Sequence, residues 1–391
     1  MIPFFALTLI AAAAPAAATP SASALFAAGD FPAAASAYEA RLRANSTDPA
    51  DKINLAAIRL YENDLTAAEP LLDSVLYADP QNVRASNLLA EVQRRRAEAA
   101  RRTTLEGSES DVPFVTADPL PVVRVVANGV PANFLIDTGA SVVLETSFAA
   151  RIGVKTSSAG QGVFAGGQRA PVAKGMLHSL ALGTATAYDV PTGVMTTHVE
   201  ELFSHQQRID GIVGTTYFER FLVTMDYPRN RLVLRARSPK VSADFQSQAA
   251  NAGATIVPCY LVGDHFVFAR AQVNDAPPGL FMFDSGLAGG GLMPSPQLVT
   301  AAKITVEQSS AQTGIGGGGA VTAVPFITAR IAVGDAVQQN VTGLYTPQGT
   351  PFGIFPFTVW GAISNDYLRN YAYTVDFDAM KMVLQARNLH P

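Results

Sequence analysis

The chain changes its hydrophobic period once. From residue 25 to about 102, apolar positions recur at the three- and four-residue spacing of helices with one buried stripe, in a stretch rich in Ala, Leu, Glu and Arg and poor in Gly. An echo at a spacing of 34 runs through it: Asp30 recurs as Asp64, Ala34 as Ala68, and Tyr38 and Leu42 as Leu72 and Leu76. Asp48-Pro49 and Asp79-Pro80 punctuate the helix ends. Gln93 to Arg102 reads as a charged last helix with a solvated face. Thr103 to Pro121 is polar, acidic and proline-bearing, with 103–111 expected to be a linker. Beyond it Val, Thr, Phe and Gly rise, and short alternating runs separated by turns predict strands.

The β region begins with a hairpin signal. Leu120 to Val126 meets Asn128-Gly129, and the return strand Val130 to Ile136 delivers Asp137. The region is also a duplication. Val126-Ala127-Asn128 lies 147 positions before Val273-Asn274-Asp275, the same offset that separates Asp137 from Asp284. Near the end of each half the offset is 150. Tyr217 matches Tyr367, Phe221 Tyr371, Thr224 Thr374, Asp226 Asp376, Leu234 Leu384 and Arg237 Arg387. Two homologous lobes are therefore expected at 112–238 and 249–391, joined by the polar, alanine-bearing stretch from Ser238 to Gly253.

Candidate chemistry concentrates in two tripeptides, Asp137-Thr138-Gly139 and Asp284-Ser285-Gly286, each following an apolar run. An acid after such a run sits at the mouth of a buried strand. One per lobe suggests a paired-carboxylate site, in which an ionised carboxylate takes a proton from water while its protonated partner polarises a carbonyl and later protonates the leaving nitrogen. Like charges at close range titrate in two macroscopic steps. The glycines let the backbone approach closely and take unusual dihedrals. The hydroxyls of Thr138 and Ser285 would support the dyad by donating across the lobe junction. Such a site requires no metal or organic cofactor.

Phe134-Leu135-Ile136-Asp137-Thr138-Gly139-Ala140-Ser141 resembles the active-site loop of retropepsin-like aspartic proteases, and Asp210-Gly211-Ile212-Val213-Gly214 resembles their second signature. The resemblance covers 112–391 as a tandem single-chain form of the two-lobed acid-protease fold, related in its logic to the pepsin-like enzymes. It implies that Asp137 and Asp284 are the catalytic pair and that substrate is an extended peptide held between the lobes. It also implies glycine-bearing flaps, which match Phe164, Ala165, Gly166 and Gly167 in lobe one and Ile315, Gly316 and Gly317 in lobe two. Lobe two departs from the pattern at Leu287, at Ser364 and at Trp360, which stands where Asp210 stands in lobe one. The helical stretch resembles a pair of tetratricopeptide-type hairpins, too few for a stable solenoid without a neighbouring domain.

The fold class expected is therefore multidomain: all-α helical-hairpin repeats at 25–102, then an all-β two-lobed acid-protease fold. Composition narrows the function classes. Of 391 residues, 48% are hydrophobic and the net charge is −4, without the basic stripe a nucleic-acid partner needs. The lone Cys259 forms no intramolecular disulfide, and the five histidines lack metal-ligand spacing. Gly314-x-Gly316-x-x-Gly319 spells a dinucleotide fingerprint, but the residues after it predict a strand rather than a helix. Asp226 and Asp376 precede turns and suit structural roles. Met1 to Ala18 is apolar and alanine-rich and reads as a signal peptide ending before Thr19, with an uncleaved membrane tether as the alternative. The expected location is exported, periplasmic or secreted. Two functions fit: an aspartic endopeptidase, or a catalytically inactive peptide-binding module on the same fold, with the helical repeats free to hold a protein partner or to occlude the site.

Overall fold

The structure is a computed structural model describing residues 20–164, 168–203, 208–316 and 318–386. The proposed signal segment, Arg387, and the flap residues Ala165, Gly166, Gly167 and Gly317 lie outside them.

Five helices come first: α1 (Ala22–Ala27), α2 (Phe31–Arg43), α3 (Pro49–Tyr61), α4 (Leu65–Ala78) and α5 (Val83–Ala99). The 34-residue echo is a repeat of helix starts and buried contacts. Asp30 and Asp64 are N-caps whose carboxylates accept from Ala33 N and Ala67 N, and Asp48 and Asn82 cap the intervening helices in the same way. Ala34 and Ala68 are both fully buried where neighbouring helices cross.

The two lobes share one six-stranded antiparallel sheet. Its order is Glu109–Thr116, Arg231–Ala236, Phe221–Asp226, Tyr371–Asp376, Lys381–Ala386, and the first half of Thr255–Val262. At its centre Thr224 pairs with Thr374, and their hydroxyls meet at 2.8 Å on the pseudo-twofold. The offset of 150 is thus a symmetry relation. Tyr217 donates to Ala185 O and Tyr367 to Ala336 O, the same bond made twice. The earlier echo needs a one-residue correction. Asn128 and Asn274 are the equivalent residues, each at φ 49° and each accepting through its side chain from a backbone N–H on a neighbouring strand, so Asn128 matches Asn274 rather than Asp275. Asn128-Gly129 forms the expected two-residue turn, with both residues at positive φ.

Residues 103–111 are not a plain linker. Thr103–Leu105 pairs with Ala185–Met195, and Glu109–Thr116 is an outer strand of the shared sheet. Its alternation of exposed and buried positions reads as polar because it lies at a sheet edge.

Each aspartate-bearing strand separates two apolar layers. In lobe one, Phe134 and Ile136 face the core common to both lobes, while Leu135 faces an outer layer built by Met195, Val199, Phe203 and Ile209. In lobe two, Phe281 and Phe283 face the common core, and Leu280 and Met282 face outward. There the outer layer is completed by the helices: Phe26, Phe31, Tyr38 and Tyr61 share one cluster with Tyr260, Phe268, Phe357 and Ala362. Phe31 alone has Tyr260 and Phe357 edge-on at ring-centroid distances of 4.9 and 5.1 Å. The helical region is part of the lobe-two core and not a detachable cover.

Helix α5 corrects the expectation of a solvated charged face. Arg95 is buried and donates to Leu60 O, Leu261 O and Gly263 O, tying α5 to α3 and lobe two. Glu98 pairs with buried Arg220 of lobe one at 2.8 Å, Arg101 donates to Asp189 O, and Arg102 stacks over Tyr188. Next to this contact Glu219 is buried, and its Oε1 has no hydrogen-bond partner among the described residues. Burial pushes its carboxyl up to about 7, against the opposing pull of Arg94, Arg95 and Arg237.

Two predictions follow from this packing. Phe31→Ala should cost about 3–5 kcal/mol in urea denaturation and lower the unfolding of α1–α3 and lobe two together. Glu219 binds a proton in the folded chain that the unfolded chain has already released, so its contribution is favourable at low pH and is lost as pH rises towards 7. Glu219→Gln should therefore be more stable than the wild type at pH 8 and indistinguishable from it near pH 4, as read by thermal melting.

Candidate active site

The strands Val130–Asp137 and Gly279–Asp284 run parallel to Gly211–Gly214 and Gly361–Ser364 respectively, which places Asp137 beside Gly214 and Asp284 beside Ser364. Apolar strand residues are buried on both faces, so the chain's first polar group surfaces only at the strand's C-terminal end, where the two loops meet across the pseudo-twofold.

The loops lock together through their hydroxyl residues. Thr138 N donates to Ser285 Oγ and Ser285 N to Thr138 Oγ1, each at 3.0 Å. The Thr138 hydroxyl donates onward to Phe283 O at 3.0 Å, and the Ser285 hydroxyl to Ile136 O at 3.5 Å. Both side chains are buried, so these bonds form in a medium where an unmet donor is costly. The sequence anticipates the crossed donation. It does not anticipate that each hydroxyl also accepts from the opposite N–H.

The carboxyls are held in the same reciprocal way. Gly139 N donates to Asp137 Oδ1 at 2.7 Å and Gly286 N to Asp284 Oδ1 at 2.9 Å. A Cβ on Gly139 would sit 2.5 Å from Asp284 Cγ, and one on Gly286 would sit 2.1 Å from Asp137 Cγ. Each carboxyl thus lies against the glycine of the other loop. Neither glycine has a positive φ, so close approach and not an unusual dihedral is what requires glycine here. The two carboxyls share a hydrogen bond. Burial holds both above the usual carboxylate range. The neighbouring charge of Asp284 raises Asp137 well above it, while the amides of Gly139 and Gly286 pull the other way.

A further layer supports the loops. Thr215, just after the second signature, donates to Thr138 O at 2.9 Å, and Thr216 Oγ1 accepts from Val142 N at 2.9 Å. Asp210 is buried and accepts from Arg151, Arg208 and Asn133 N, fixing the strand that carries Gly214. Tyr227 and Tyr373 stand beneath the loops with fully buried phenols, their hydroxyls beside Ser285 and Thr138 and raised in pKa by burial. These tyrosines were not singled out in the sequence, because only the fold brings them under the loops. Asp226 and Asp376 take structural roles, as expected. Asp226 pairs with Arg229 and Arg231, and Asp376 accepts from Ser242, Gln246, Asp378 N and Ala379 N.

The departures of lobe two are compensated in place. The Trp360 indole lies over Gly279, where a Cβ would come within 2.3 Å of its ring, so the pair exchanges the charged anchor of lobe one for an aromatic one. Gly214 is pressed against Ala140 O, at 2.0 Å from where a Cβ would be. Its counterpart Ser364 fits because the lobe-two loop is longer. Leu144 opposite Gly211 is seven residues past Asp137, and Pro294 opposite Gly361 is ten past Asp284. The Ser364 hydroxyl donates to Gly290 O in that longer loop at 2.6 Å.

Both expected flaps are β-hairpins, Ser157–Val163 with Arg169–Leu182 and Gln312–Gly316 with Gly319–Val333. They reach each other from opposite lobes. Gln168 Nε2 donates to Ala320 O at 3.3 Å, and a Cβ on Gly318 would lie 2.7 Å from Gln168 Cβ. Phe164 packs with Ala140 on the outer cluster of lobe one, and Ile315 and Gly316 are half-buried in the opposite hairpin. The residues after the glycine fingerprint are strand, as the set-aside nucleotide reading requires.

Comparison with known proteins agrees with this architecture. A family model described as "Aspartyl protease" matches residues 123–217 and 269–355, one segment in each lobe. Among solved structures, a retropepsin-like aspartic protease from Rickettsia conorii is 20% identical over 35% of this chain and 95% of its own, with a TM-score of 0.26. Basic 7S globulin from soybean is 11% identical over 74% of this chain and 96% of its own, with a TM-score of 0.39. No curated protein matches. The β lobes of the chain belong to the aspartic protease family, of the retropepsin-like type.

The crossed bonds give a direct test. Thr138→Val and Ser285→Ala each leave a buried N–H without its acceptor and should each cost about 1–3 kcal/mol in urea denaturation. Together they should cost less than the sum, since both break one network.

Proposed function

We propose that this protein is an aspartic endopeptidase that hydrolyses peptide bonds by activating water between Asp137 and Asp284. Membership of a protease family implies a peptide or protein substrate. The observation that carries the finer reading is the meeting of the two carboxyls, each against the other loop's glycine and joined by a hydrogen bond. In this reading the pair holds one proton. The ionised member accepts a proton from the water as it attacks the carbonyl carbon. The protonated member donates to the carbonyl oxygen, and the nitrogen is protonated as the tetrahedral intermediate collapses. The amides of Gly139 and Gly286 keep the inner oxygens fixed while charge moves between them. The hairpins meeting from both lobes support an extended substrate, held by strand-like pairing and screened from water.

The inactive peptide-binding reading shares the groove but not the chemistry. The compensated fit of Trp360 and Ser364 favours a working lobe two. The helical hairpins bury one face on lobe two and leave Tyr77 and Val83 exposed, which suits a protein partner on the far face. The tetratricopeptide reading of these helices and export by Met1–Ala18 belong to the same proposal and rest on sequence.

Because the helices complete the lobe-two core, the test uses the full chain from Thr19 and not the β lobes alone. Digestion of a peptide library should show cleavage that Asp137→Asn and Asp284→Asn each reduce by at least ~10²-fold. Loss of the shared proton ends activity on the alkaline side, and the raised titration of the pair should carry that limb above the ordinary carboxylate range. A well-folded protein that binds peptides and cuts none at any pH would establish the binding reading instead.

A further inference from the structure

The first residue after each Asp-hydroxyl-Gly core differs between the lobes. Ala140 O accepts from Thr215 N at 2.9 Å, and Leu287 O accepts from Asn365 N at 3.3 Å. These are pseudo-equivalent bonds, so the two residues leave the dyad alike. Both are half-buried beside the aspartates. Their side chains differ by three carbons. Ala140 packs on the lobe-one outer cluster with Leu135, Val143 and Ile212, where the flap residue Phe164 also rests. Leu287 packs on the lobe-two cluster of Met282, Met293 and Ala362. Behind that cluster stand Phe357 and the helix residues Phe31 and Tyr61, with ring centroids 5.1 to 5.8 Å apart. Leu287 therefore has no empty space to retreat into.

An extended peptide points successive side chains to opposite sides. Across a pseudo-twofold dyad, the two residues flanking the central bond face pseudo-equivalent walls of the two lobes. We propose that Ala140 and Leu287 make these walls unequal, so that the groove takes a bulky apolar side chain on the Ala140 side of the bond and only a small one on the Leu287 side. The lobe-two wall owes its rigidity to the helical region. This inference rests on the groove being the peptide site, but not on turnover. One methylene in a packed apolar pocket discriminates roughly 10–200-fold, so the three-carbon difference suffices for strong selection.

The test uses the full chain and reduced-amide peptides that cannot be cleaved, with Phe or Ala on each side of the reduced bond. Binding is measured by calorimetry. The wild type should bind the Phe/Phe peptide at least tenfold more weakly than the better of the two mixed peptides. Leu287→Ala should raise Phe/Phe affinity at least tenfold, Leu287→Val should raise it partly, and Ala140→Leu should weaken the favoured mixed peptide at least tenfold. Near-ultraviolet circular dichroism checks that each variant is folded. Equal wild-type affinity for Phe/Phe and mixed peptides, or a Leu287→Ala ranking identical to the wild type, overturns the proposal. Absence of binding by every peptide overturns it together with the peptide-site reading. The expected ranking without cleavage of the matching amide peptides upholds the unequal groove and removes only the catalytic reading.

Discussion

The crossed hydrogen bonds between Thr138 and Ser285 are the constraint on which the site depends. Two buried carboxyls repel when both are ionised, and nothing in either lobe alone would keep them together. The locked loops fix the backbone of each lobe relative to the other, so the carboxyls meet at a distance set by covalent geometry. The shared sheet repeats the restraint farther down, where Thr224 and Thr374 join across the same axis. Close contact then raises the pair's titration, which keeps one proton in the site. Stability and chemistry use the same few bonds.

The helical region serves this arrangement from outside. Each aspartate-bearing strand needs an apolar layer on its outer face. Lobe one supplies its own from Met195 to Ile209, whereas lobe two borrows part of its layer from α1 to α3. Helix α5 then reaches both lobes, through Arg95 on one side and Glu98 on the other. The helices are thereby bound to the geometry of the dyad although they contribute no residue to it.

Much of this was legible in the sequence because it is carried by residues with one dominant use. An acid after a doubly buried strand, an Asn-Gly between alternating runs, and an aspartate two or three residues before a helical stripe each have a strong local meaning. The equal offsets also exposed the duplication, since symmetry demands the same contact twice, as Tyr217 and Tyr367 show. Long-range facts were hidden. The guanidinium of Arg95 looks solvated until the fold brings the carbonyls of Leu261 and Gly263 to it. Phe31 and Tyr61 announce an apolar face but not the surface that covers it. The strand Glu109–Thr116 passed for linker because an edge strand needs few apolar residues. The one-residue slip at Asn274 arose because an insertion in one arm is invisible where neighbouring Asn and Asp both suit a turn.

The most direct measurement of the central claim is a carboxyl-carbon NMR titration of the full chain labelled at aspartate, with Asp137→Asn and Asp284→Asn to assign the signals. The account predicts that Asp137 and Asp284 titrate as one unit in two steps, the upper step above the ordinary carboxylate range, and that either substitution collapses the pair to a single step. Two independent titrations in the ordinary range, each unchanged by substitution of the other, would contradict it.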